Sequence, residues 1–184
     1  MIIIAVGHSR IGDEGATSVS GLSEWKYNQP LARNICTGLR GHGIANKMVD
    51  YYPYKSYTSA MRWLSEVCKQ YDAKAILELH FNSSNNPESH GFEYLFWYTS
   101  KRGGALAKSI CQAHAVADPD AKNRGIKPIH KGQRGAQFLR ETPCPAVICE
   151  PFFGSNEDEW EEWEDSHQRL ANIILAGILS WENL

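Results

Sequence analysis

The amino-acid sequence predicts a single α/β domain, with a twisted, mostly parallel or mixed sheet and helices on both of its faces. Short, largely apolar runs over residues 2–6, 75–80 and 145–150 have the length and composition of buried strands. Stretches with apolar residues at helical spacing separate these runs. The 184 residues, 42% of them hydrophobic, suffice for one substantial core and are too few for two.

The first part of the chain predicts a strand, a loop and a long helix. Residues 2–6 are continuously apolar, whereas residues 9–21 are rich in Gly, Ser, Asp and Thr. Ser23 is a suitable N-cap for a helix that begins at Glu24. Pro30 lacks a backbone N–H and clashes with the preceding turn, so we expect it to kink or restart that helix.

The middle of the chain continues the alternation of strands and helices. We expect a strand over residues 44–49, a loop over 50–57 and a helix over 59–71. The strand that ends at His80 follows. The aromatic run over residues 91–98 then predicts another strand.

The C-terminal part has a less even pattern. Apolar spacing predicts a helix over residues 100–117. Periodicity fades over 118–141, which favours a long loop with short elements, and long loops in compact domains are often functional. A strand over 145–150 ends on a carboxylate, and a final helix is expected from about Glu157.

Chemically versatile side chains stand where the predicted elements meet. His8, His80 and Glu150 each come at the end of a strand, and Glu24 begins the first long helix. The carboxyl ends of parallel strands share one edge of a sheet, which is where such folds place their ligands. Two imidazoles and one carboxylate, with a fourth position left for water, form a catalytic zinc set. A further carboxylate can then accept the proton of that water.

Each of these residues also has an ordinary structural explanation when it is taken alone. A histidine at a strand end commonly makes structural hydrogen bonds. An acid in the first turn of a helix is favoured by the helix dipole. A glutamate past a strand is commonly a surface residue. Ligands separated this widely in sequence leave no compact signature, so spacing alone does not decide between the two explanations.

Short motifs in a fixed order give the chain a resemblance to a known family. They are Gly7-His8 with Gly15-Ala16, Glu24-Trp25-Lys26 with Asn28, His80-Phe81-Asn82, Gly91-Phe92-Glu93, Arg124-Gly125-Ile126-Lys127, and Glu150 with Phe153, Ser155 and Asn156. In this order they resemble the zinc-dependent N-acetylmuramoyl-L-alanine amidases of the type-3 amidase family. The segments around His80 and Glu150 look most like the forms seen in phage endolysins.

The resemblance implies a zinc metallohydrolase that acts on peptidoglycan. It implies that His8, Glu24 and His80 hold Zn²⁺ and that Glu150 is the catalytic carboxylate. The bond cleaved would be the amide between N-acetylmuramic acid and the L-alanine of the stem peptide. The chain departs from the family at Glu78, where a serine is common, and in the residues that follow Glu150.

Four further residues are candidates for roles beside the metal. Asn82 could orient a metal-binding histidine or the substrate, and Arg124 and Lys127 could bind carboxylates of the stem peptide. Strand alternation puts Glu78 on the face of the sheet that also carries the strand-end histidine. We expect Glu78 to contact a ring N–H of a zinc-binding histidine or a basic side chain such as Arg10.

Composition argues against nucleic-acid and membrane partners, and the resemblance implies peptidoglycan as the partner. The formal net charge of −2 gives no support for a nucleic-acid groove. No apolar stretch approaches the roughly 20 residues of a membrane span, and the first residues lack the features of a signal peptide. Five cysteines without C-x-x-C spacing favour free thiols. We therefore expect a monomeric catalytic domain over residues 1–184 without a separate wall-binding domain, made in the cytoplasm (of the host, if phage-encoded) and acting on the cell wall.

Two alternative functions belong to other classes. One is a non-catalytic peptidoglycan-binding module, which the intact Glu150 argues against. The other is a cysteine amidase or peptidase that pairs Cys144 or Cys149 with His130 or His167. Neither cysteine begins a predicted helix, where a thiolate would be stabilised. The H-x-x-E string over residues 90–93 is a weak zinc motif, because residues three apart on a strand face opposite ways.

Overall fold

A computed structural model, which describes residues 1–182, contains one six-stranded mixed sheet. In chain order its strands are β1 (Ile2–Val6), β2 (Asn46–Val49), β3 (Ala75–Leu79), β4 (Phe92–Trp97), β5 (Asn123–Ile129) and β6 (Ala146–Glu150). They lie side by side in the order β2-β1-β3-β6-β4-β5. β6 pairs with β4 in antiparallel fashion, and the other neighbours are parallel. The predicted α/β class is confirmed.

Helices cover both faces of the sheet. They are α1 (Glu24–Gly41), α2 (Tyr57–Gln70), α3 (Lys101–Ala117), α4 (Ala136–Glu141), α5 (Glu157–Trp163) and α6 (His167–Glu182). One apolar cluster packs α1, α3, α5 and α6 against one face of the sheet. A second cluster packs α2 and α4 against the other face. No helix within residues 1–182 is both long and apolar enough to cross a membrane.

The first long helix begins as predicted but is not restarted at its proline. The Ser23 side chain accepts a hydrogen bond from the Lys26 N–H and caps α1. Pro30 lies inside the helix, which continues without a break to Gly41. The residues that follow Pro30 explain this continuity, because Leu31 and its neighbours on the same stripe are fully buried against the sheet. Tertiary packing outweighs the hydrogen bond that Pro30 removes.

Two regions differ from the sequence prediction. The segment predicted as a long loop over 118–141 forms β5 and α4. β5 is an edge strand that contains Gly125 with a φ of 80° and Pro128, and neither residue is typical of a strand interior. The single final helix is instead two helices, α5 and α6. The Tyr27 hydroxyl donates a 2.7 Å hydrogen bond to the Trp163 carbonyl and satisfies the end of α5.

The strand register gathers several chain segments at one edge of the sheet. β1, β3 and β6 run parallel, with Leu79 opposite both Val6 and Cys149. The residues that follow these strands therefore leave the sheet side by side. Because β4 is antiparallel to β6, the first residues of β4 also lie at this edge, and Glu93 lies opposite Glu150. The topology thus builds one rim from β1, β3, β4 and β6.

A glycine sets the closest approach of α3 and α6. A Cβ atom on Gly177 would lie 2.4 Å from the Ile110 Cα and 2.9 Å from its backbone nitrogen. Backbone cannot move aside as a flexible side chain can, so Gly177→Ala should push the helices apart and destabilise the fold by about 1–3 kcal/mol. Urea unfolding measures this change. Gly41→Ala is the matched control, since nothing lies within 4 Å of the added atom; equal stabilities of the two variants would contradict the prediction.

A buried histidine should make the free energy of unfolding depend on pH. His114 stacks on Phe92 with ring centroids 3.9 Å apart, and its Nδ1 lies 2.7 Å from the Tyr94 hydroxyl. Burial, assisted by Arg169, lowers the pKa of His114 to about 3. The unfolded chain takes up this proton below its ordinary pKa of about 6.5, whereas the folded chain does not, so stability falls as pH falls through this interval.

We expect the folded chain to lose about 2 kcal/mol from this group between about pH 7 and about pH 5. His114→Gln should remove that part of the pH dependence, whatever its own effect on stability at neutral pH. Urea titrations of both proteins at the two pH values give the comparison. An identical pH dependence in the variant would show that His114 does not cause it.

Candidate metal centre

The rim of the sheet brings two histidines and a glutamate together. His8, Glu24 and His80 each offer one ligand atom, and these atoms all lie within 4.8 Å of one another. Within residues 1–182 this is the only group of three or more His, Cys, Asp or Glu side chains arranged in this way. The three residues come from the end of β1, the start of α1 and the end of β3. The predicted convergence of these residues is present in the structure.

Glu24 is the central member of the group. Its side chain is fully buried, with Oε1 2.7 Å from His80 Nδ1 and Oε2 3.4 Å from His8 Nε2. The backbone N–H groups of Ala16 and Phe81 also donate to this carboxylate, at 3.1 and 3.3 Å. Burial opposes ionisation, but the adjacent His80 and His8 outweigh it and hold the pKa of Glu24 below its ordinary value.

His8 is held in a strained conformation that directs one ring nitrogen at Glu24. Its φ is 57°, in the left-handed region that few residues other than glycine adopt. Its Nδ1 lies 3.0 Å from Asp13 Oδ1, and Asp13 is itself bonded by the Arg10 guanidinium and the Gly15 N–H. The His8 Nε2 atom is buried and has no hydrogen-bond partner. An unpaired buried imidazole nitrogen beside a carboxylate suits a metal ion.

His80 is enclosed by carboxylates on both sides of its ring. Nδ1 contacts Glu24, and Nε2 makes an ion-pair contact of 3.2 Å with Glu78 Oε2. The other Glu78 oxygen accepts a 2.9 Å hydrogen bond from the Tyr52 hydroxyl. Burial alone would lower the pKa of His80, but Glu24 and Glu78 outweigh it and raise the pKa well above the ordinary value.

Glycines make room for these rings. A Cβ atom on Gly7 would lie 2.3 Å from His80 Cε1, and one on Gly15 would lie 2.7 Å from Glu24 Oε2. The backbone therefore approaches the site so closely at Gly7 and Gly15 that there is no room for a Cβ atom. Two imidazoles and one carboxylate are the donor set of catalytic zinc, and the unpaired nitrogen of His8 shows that these residues fit such an ion.

Glu150 ends β6 and lies in the same cleft. The cleft is a cavity of about 850 Å³ that is also lined by His8, His80 and Glu78. Burial raises the pKa of Glu150 to about 8, with Glu24 adding to the shift and His80 opposing it. Its Oε2 atom is buried and makes no hydrogen bond. Glu150 is therefore a buried carboxyl group with one unpaired oxygen, and its burial favours the protonated form.

The three residues predicted to bind substrate meet at Glu93. Asn82 donates to Glu93 Oε1 at 3.0 Å, and Arg124 Nε donates to Oε2 at 2.9 Å. Lys127 lies 4.0 Å from the same carboxylate, and Arg124 also stacks on Phe153. Asn82 and Glu93 line the cavity, whereas Arg124 and Lys127 do not. Glu93 thus links Asn82 to the two basic residues.

Some residues of the site were not identified as candidates from the sequence. Asp13 and Tyr52 lie in segments that read as ordinary loops, and Arg134 lines the cavity from the segment before α4. Asp13 follows His8 by five positions in a polar loop, which is a usable signal. Tyr52 carries no such signal, because only the fold brings it to Glu78.

The weak zinc motif over residues 90–93 does not form a metal site. His90 is exposed and its Nδ1 lies 2.8 Å from the Glu88 carbonyl. Glu93, at the other end of the motif, is occupied by Asn82 and Arg124. His90 lies before β4, so strand alternation does not apply to this pair, and it is their separate contacts that keep the two side chains from sharing a metal.

The cysteine alternative finds no assembled thiol–imidazole pair in the described chain. Burial raises the pKa of Cys149, which lies within β6. The neighbouring Cys68 thiol lowers the pKa of Cys144. His130 stacks on Tyr98 and His167 packs on Tyr27, so both rings have other partners. All five cysteines are free thiols, as predicted.

Comparison with known proteins gives a consistent family. The model of the family described as N-acetylmuramoyl-L-alanine amidase matches residues 2–180. The N-acetylmuramoyl-L-alanine amidase AmiA of Escherichia coli is 20% identical, in an alignment that covers 98% of this chain and 75% of AmiA.

Solved structures with this fold include AmiC2, an N-acetylmuramoyl-L-alanine amidase of Nostoc punctiforme. It is 21% identical to this chain, with a TM-score of 0.83. The alignment covers 100% of this chain and 98% of AmiC2. The catalytic domain of the CD27L endolysin, which targets Clostridia difficile, is 26% identical with a TM-score of 0.80. That alignment covers 97% of this chain and 96% of the endolysin domain.

The close passage of Gly7 gives a test of the metal centre that leaves its ligands in place. Gly7→Ala should displace the His80 ring and weaken binding of a divalent cation about 10–100-fold, as expected when the orientation of a ligand is lost. Titration of the metal-free protein with Zn²⁺ measures this change. Gly41→Ala again serves as control, and unchanged affinity in Gly7→Ala would mean that the ring has room to move.

Proposed function

The chain belongs to the N-acetylmuramoyl-L-alanine amidase family, and from this premise we propose that it is a zinc-dependent peptidoglycan hydrolase. It cleaves the amide between the lactyl group of N-acetylmuramic acid and the L-alanine of the stem peptide. The observation that supports the zinc-dependent mechanism is the convergence of His8, Glu24 and His80, with both histidines lining the same cavity as Glu150. The cavity is large enough for the peptide and sugar groups that flank such a bond.

The ligands of the proposed zinc ion follow from the contacts of each ring. His8 would bind through Nε2 and His80 through Nδ1, because Asp13 and Glu78 face the opposite nitrogens. Glu24 contributes its carboxylate between them. When bound, zinc acts as a Lewis acid that polarises the scissile carbonyl and acidifies a water molecule.

Glu150 performs the proton transfers in this proposal. Its carboxylate accepts the proton of the attacking water and delivers it to the departing nitrogen of L-alanine. Glu150 must be ionised before it can accept the proton from water. It must then stay protonated until it delivers that proton to the leaving nitrogen. Burial in the cleft, which raises the pKa of Glu150 to about 8, favours the second requirement. His80 and Arg134 oppose that shift and favour the first.

The carboxylates behind the histidines are proposed to position them. Ligating histidines usually turn their second ring nitrogen to a carboxylate or carbonyl, which fixes the tautomer and the ring orientation. Asp13 has this place behind His8, and Glu78 has it behind His80. Glu78 was expected to contact a ligating histidine or Arg10, and the structure pairs Arg10 with Asp13 instead.

Binding of the stem peptide is proposed at the far side of Glu150 from the histidines. Asn82 lines the cavity and donates a hydrogen bond to Glu93, which lines it as well. Arg124 and Lys127 remain proposed contacts for stem-peptide carboxylates, and they would act at the outer margin because they do not line the cavity. Their shared contact with Glu93 keeps both basic side chains on that side.

The biological setting is part of the proposal. Similarity to the CD27L endolysin domain supports a role in lysis of a bacterial host by a phage or prophage. The catalytic domain would then be made in the host cytoplasm and act as a monomer on the wall. Lysis of cells that express the chain only after their inner membrane is permeabilised would support this setting.

A non-catalytic wall-binding module and a cysteine amidase are the competing functions. The module would have no need of Glu150, which lines the cleft and has an unpaired buried oxygen. The cysteine mechanism would need an ionisable thiol beside an imidazole. Burial raises the pKa of Cys149, and Cys144, whose pKa is lowered by the neighbouring Cys68 thiol, has no histidine among its described contacts. Both observations favour the zinc amidase.

Removal of the metal and removal of the base should have separable effects. A chelator should abolish cleavage, and Zn²⁺ should restore it. Glu150→Gln should keep the bound zinc and lose about 10²–10⁴ in rate, the usual contribution of general acid–base catalysis. Mass spectrometry of digested peptidoglycan identifies the bond, because amidase products carry a free L-alanine amine.

Glu66→Gln is the control, since Glu66 is exposed and pairs only with Lys69 in the described contacts. Full activity of the metal-free enzyme would overturn the zinc mechanism. Loss of zinc from Glu150→Gln would instead make Glu150 a ligand. Products cut at another bond would overturn the amidase assignment itself.

A further inference from the structure

We infer that Tyr52 is a positioning residue of the metal centre, acting through Glu78 on the ring of His80. The inference rests on the zinc site proposed above and adds a residue that contacts Glu78, the carboxylate behind His80. Tyr52 lies in the loop between β2 and α2, about 30 residues before His80 in the chain. Among the described hydrogen bonds its hydroxyl contacts Glu78 and no proposed ligand, so we expect the hydroxyl to influence the metal through Glu78.

The three side chains form a continuous buried line. Tyr52 and Glu78 are 1% and 4% exposed. The Tyr52 hydroxyl donates to Glu78 Oε1 at 2.9 Å, and Glu78 Oε2 lies 3.2 Å from His80 Nε2. Oε1 is thus held by a hydrogen bond, whereas Oε2 makes an ion-pair contact with a buried ring nitrogen that has no hydrogen-bond partner. Rotation of the carboxylate would break both contacts together.

Backbone contacts also hold Tyr52 in place. The Tyr52 N–H donates a 2.8 Å hydrogen bond to the Ser9 carbonyl, and Tyr52 forms an isolated parallel bridge with Arg10. These residues directly follow His8. The loop that carries Tyr52 is thus bound to the segment that carries one histidine, while its side chain reaches the carboxylate behind the other.

Hydrogen-bond chemistry gives the line a direction. A tyrosine hydroxyl beside a carboxylate donates its proton, so Glu78 acts as acceptor toward Tyr52 and presents its second oxygen as acceptor toward His80. The hydrogen of the imidazole then belongs on Nε2, and the lone pair of Nδ1 is directed at Glu24 and the proposed zinc ion. A buried carboxylate without the Tyr52 donor would lack a partner and turn away from this orientation.

The test compares two tyrosines that each lose one buried hydroxyl. Tyr52→Phe keeps the ring in place and removes only the donor to Glu78. Tyr94→Phe is the matched control, because Tyr94 is also fully buried and its hydroxyl contacts His114, outside the metal centre. Competition with a chromophoric chelator measures the Zn²⁺ dissociation constant, and urea unfolding measures stability.

Tyr52→Phe should raise the Zn²⁺ dissociation constant about 10-fold, at the lower end of the effect of removing an outer partner of a ligand. Tyr94→Phe should lose comparable stability and leave the constant unchanged. An unchanged constant in folded Tyr52→Phe would overturn the inference. Equal weakening in both variants would do so as well, since it would mark a general loss of packing.

A double-mutant cycle tests whether Tyr52 acts through Glu78. Glu78→Ala should weaken zinc binding about 10–100-fold, and adding Tyr52→Phe to it should cause no further loss. A full additional loss would show that Tyr52 acts by another route. If Tyr52→Phe does not fold, Glu78→Asp examines the same line, because its shorter side chain cannot span Tyr52 and His80 and should also weaken binding about 10-fold.

The wild-type titration separates this inference from the proposed function. Failure of the unmodified chain to bind Zn²⁺ would remove the zinc centre itself. Tight binding by the wild type with no change in Tyr52→Phe would leave the zinc centre intact and reject only the role of Tyr52.

Discussion

The burial of the Glu24 carboxylate is the constraint on which the rim of this protein depends. A charge with no exposed surface is tolerated only when opposite charge and hydrogen-bond donors surround it. Here those partners come from three separate segments: the loop through Ala16, the end of β1 with His8, and the end of β3 with His80 and Phe81. Because Glu24 begins α1, satisfying its charge also fixes where that helix starts against the sheet. The metal centre and the fold are therefore secured by the same contacts.

The direction of one strand decides what faces this centre. Parallel neighbours alone would bring only strand ends from β1, β3 and β6 to the rim. β4 runs the other way, so its first residues arrive beside the last residues of β6, and Glu93 stands opposite Glu150. Glu150 Oε2 has no hydrogen-bond partner, whereas Glu93 accepts a hydrogen bond from the Asn82 amide and pairs with the Arg124 guanidinium. Two acids that face each other across the strands therefore have different surroundings.

The sequence predicted the parts of the site that are encoded locally. An apolar run followed at once by His8, His80 or Glu150 is enough to place that residue at a strand end, and a parallel sheet then brings such ends together. Tyr52 and Asp13 could not be assigned in this way, because their partners are set by loop paths that periodicity does not report. β5 was missed for a related reason: it is an edge strand whose Gly125 and Pro128 resemble loop residues, and pairing with β4 alone makes it a strand. Pro30 was over-interpreted because a local rule was applied where burial of the helix prevails.

The concentration of carboxylates at the rim explains why the residues behind the proposed ligands matter as well as the ligands themselves. Asp13, Glu24, Glu78 and Glu150 all border one cavity or its immediate wall, and close carboxylates repel one another strongly in a poorly solvated site. Asp13, Glu24 and Glu78 each have a described hydrogen-bond or ion-pair partner, whereas Glu150 Oε2 has no hydrogen-bond partner. The unpaired oxygen thus belongs to the one acid that is proposed to exchange protons. The inferred role of Tyr52 fits this arrangement, because its hydroxyl supplies the buried Glu78 carboxylate with a hydrogen-bond donor.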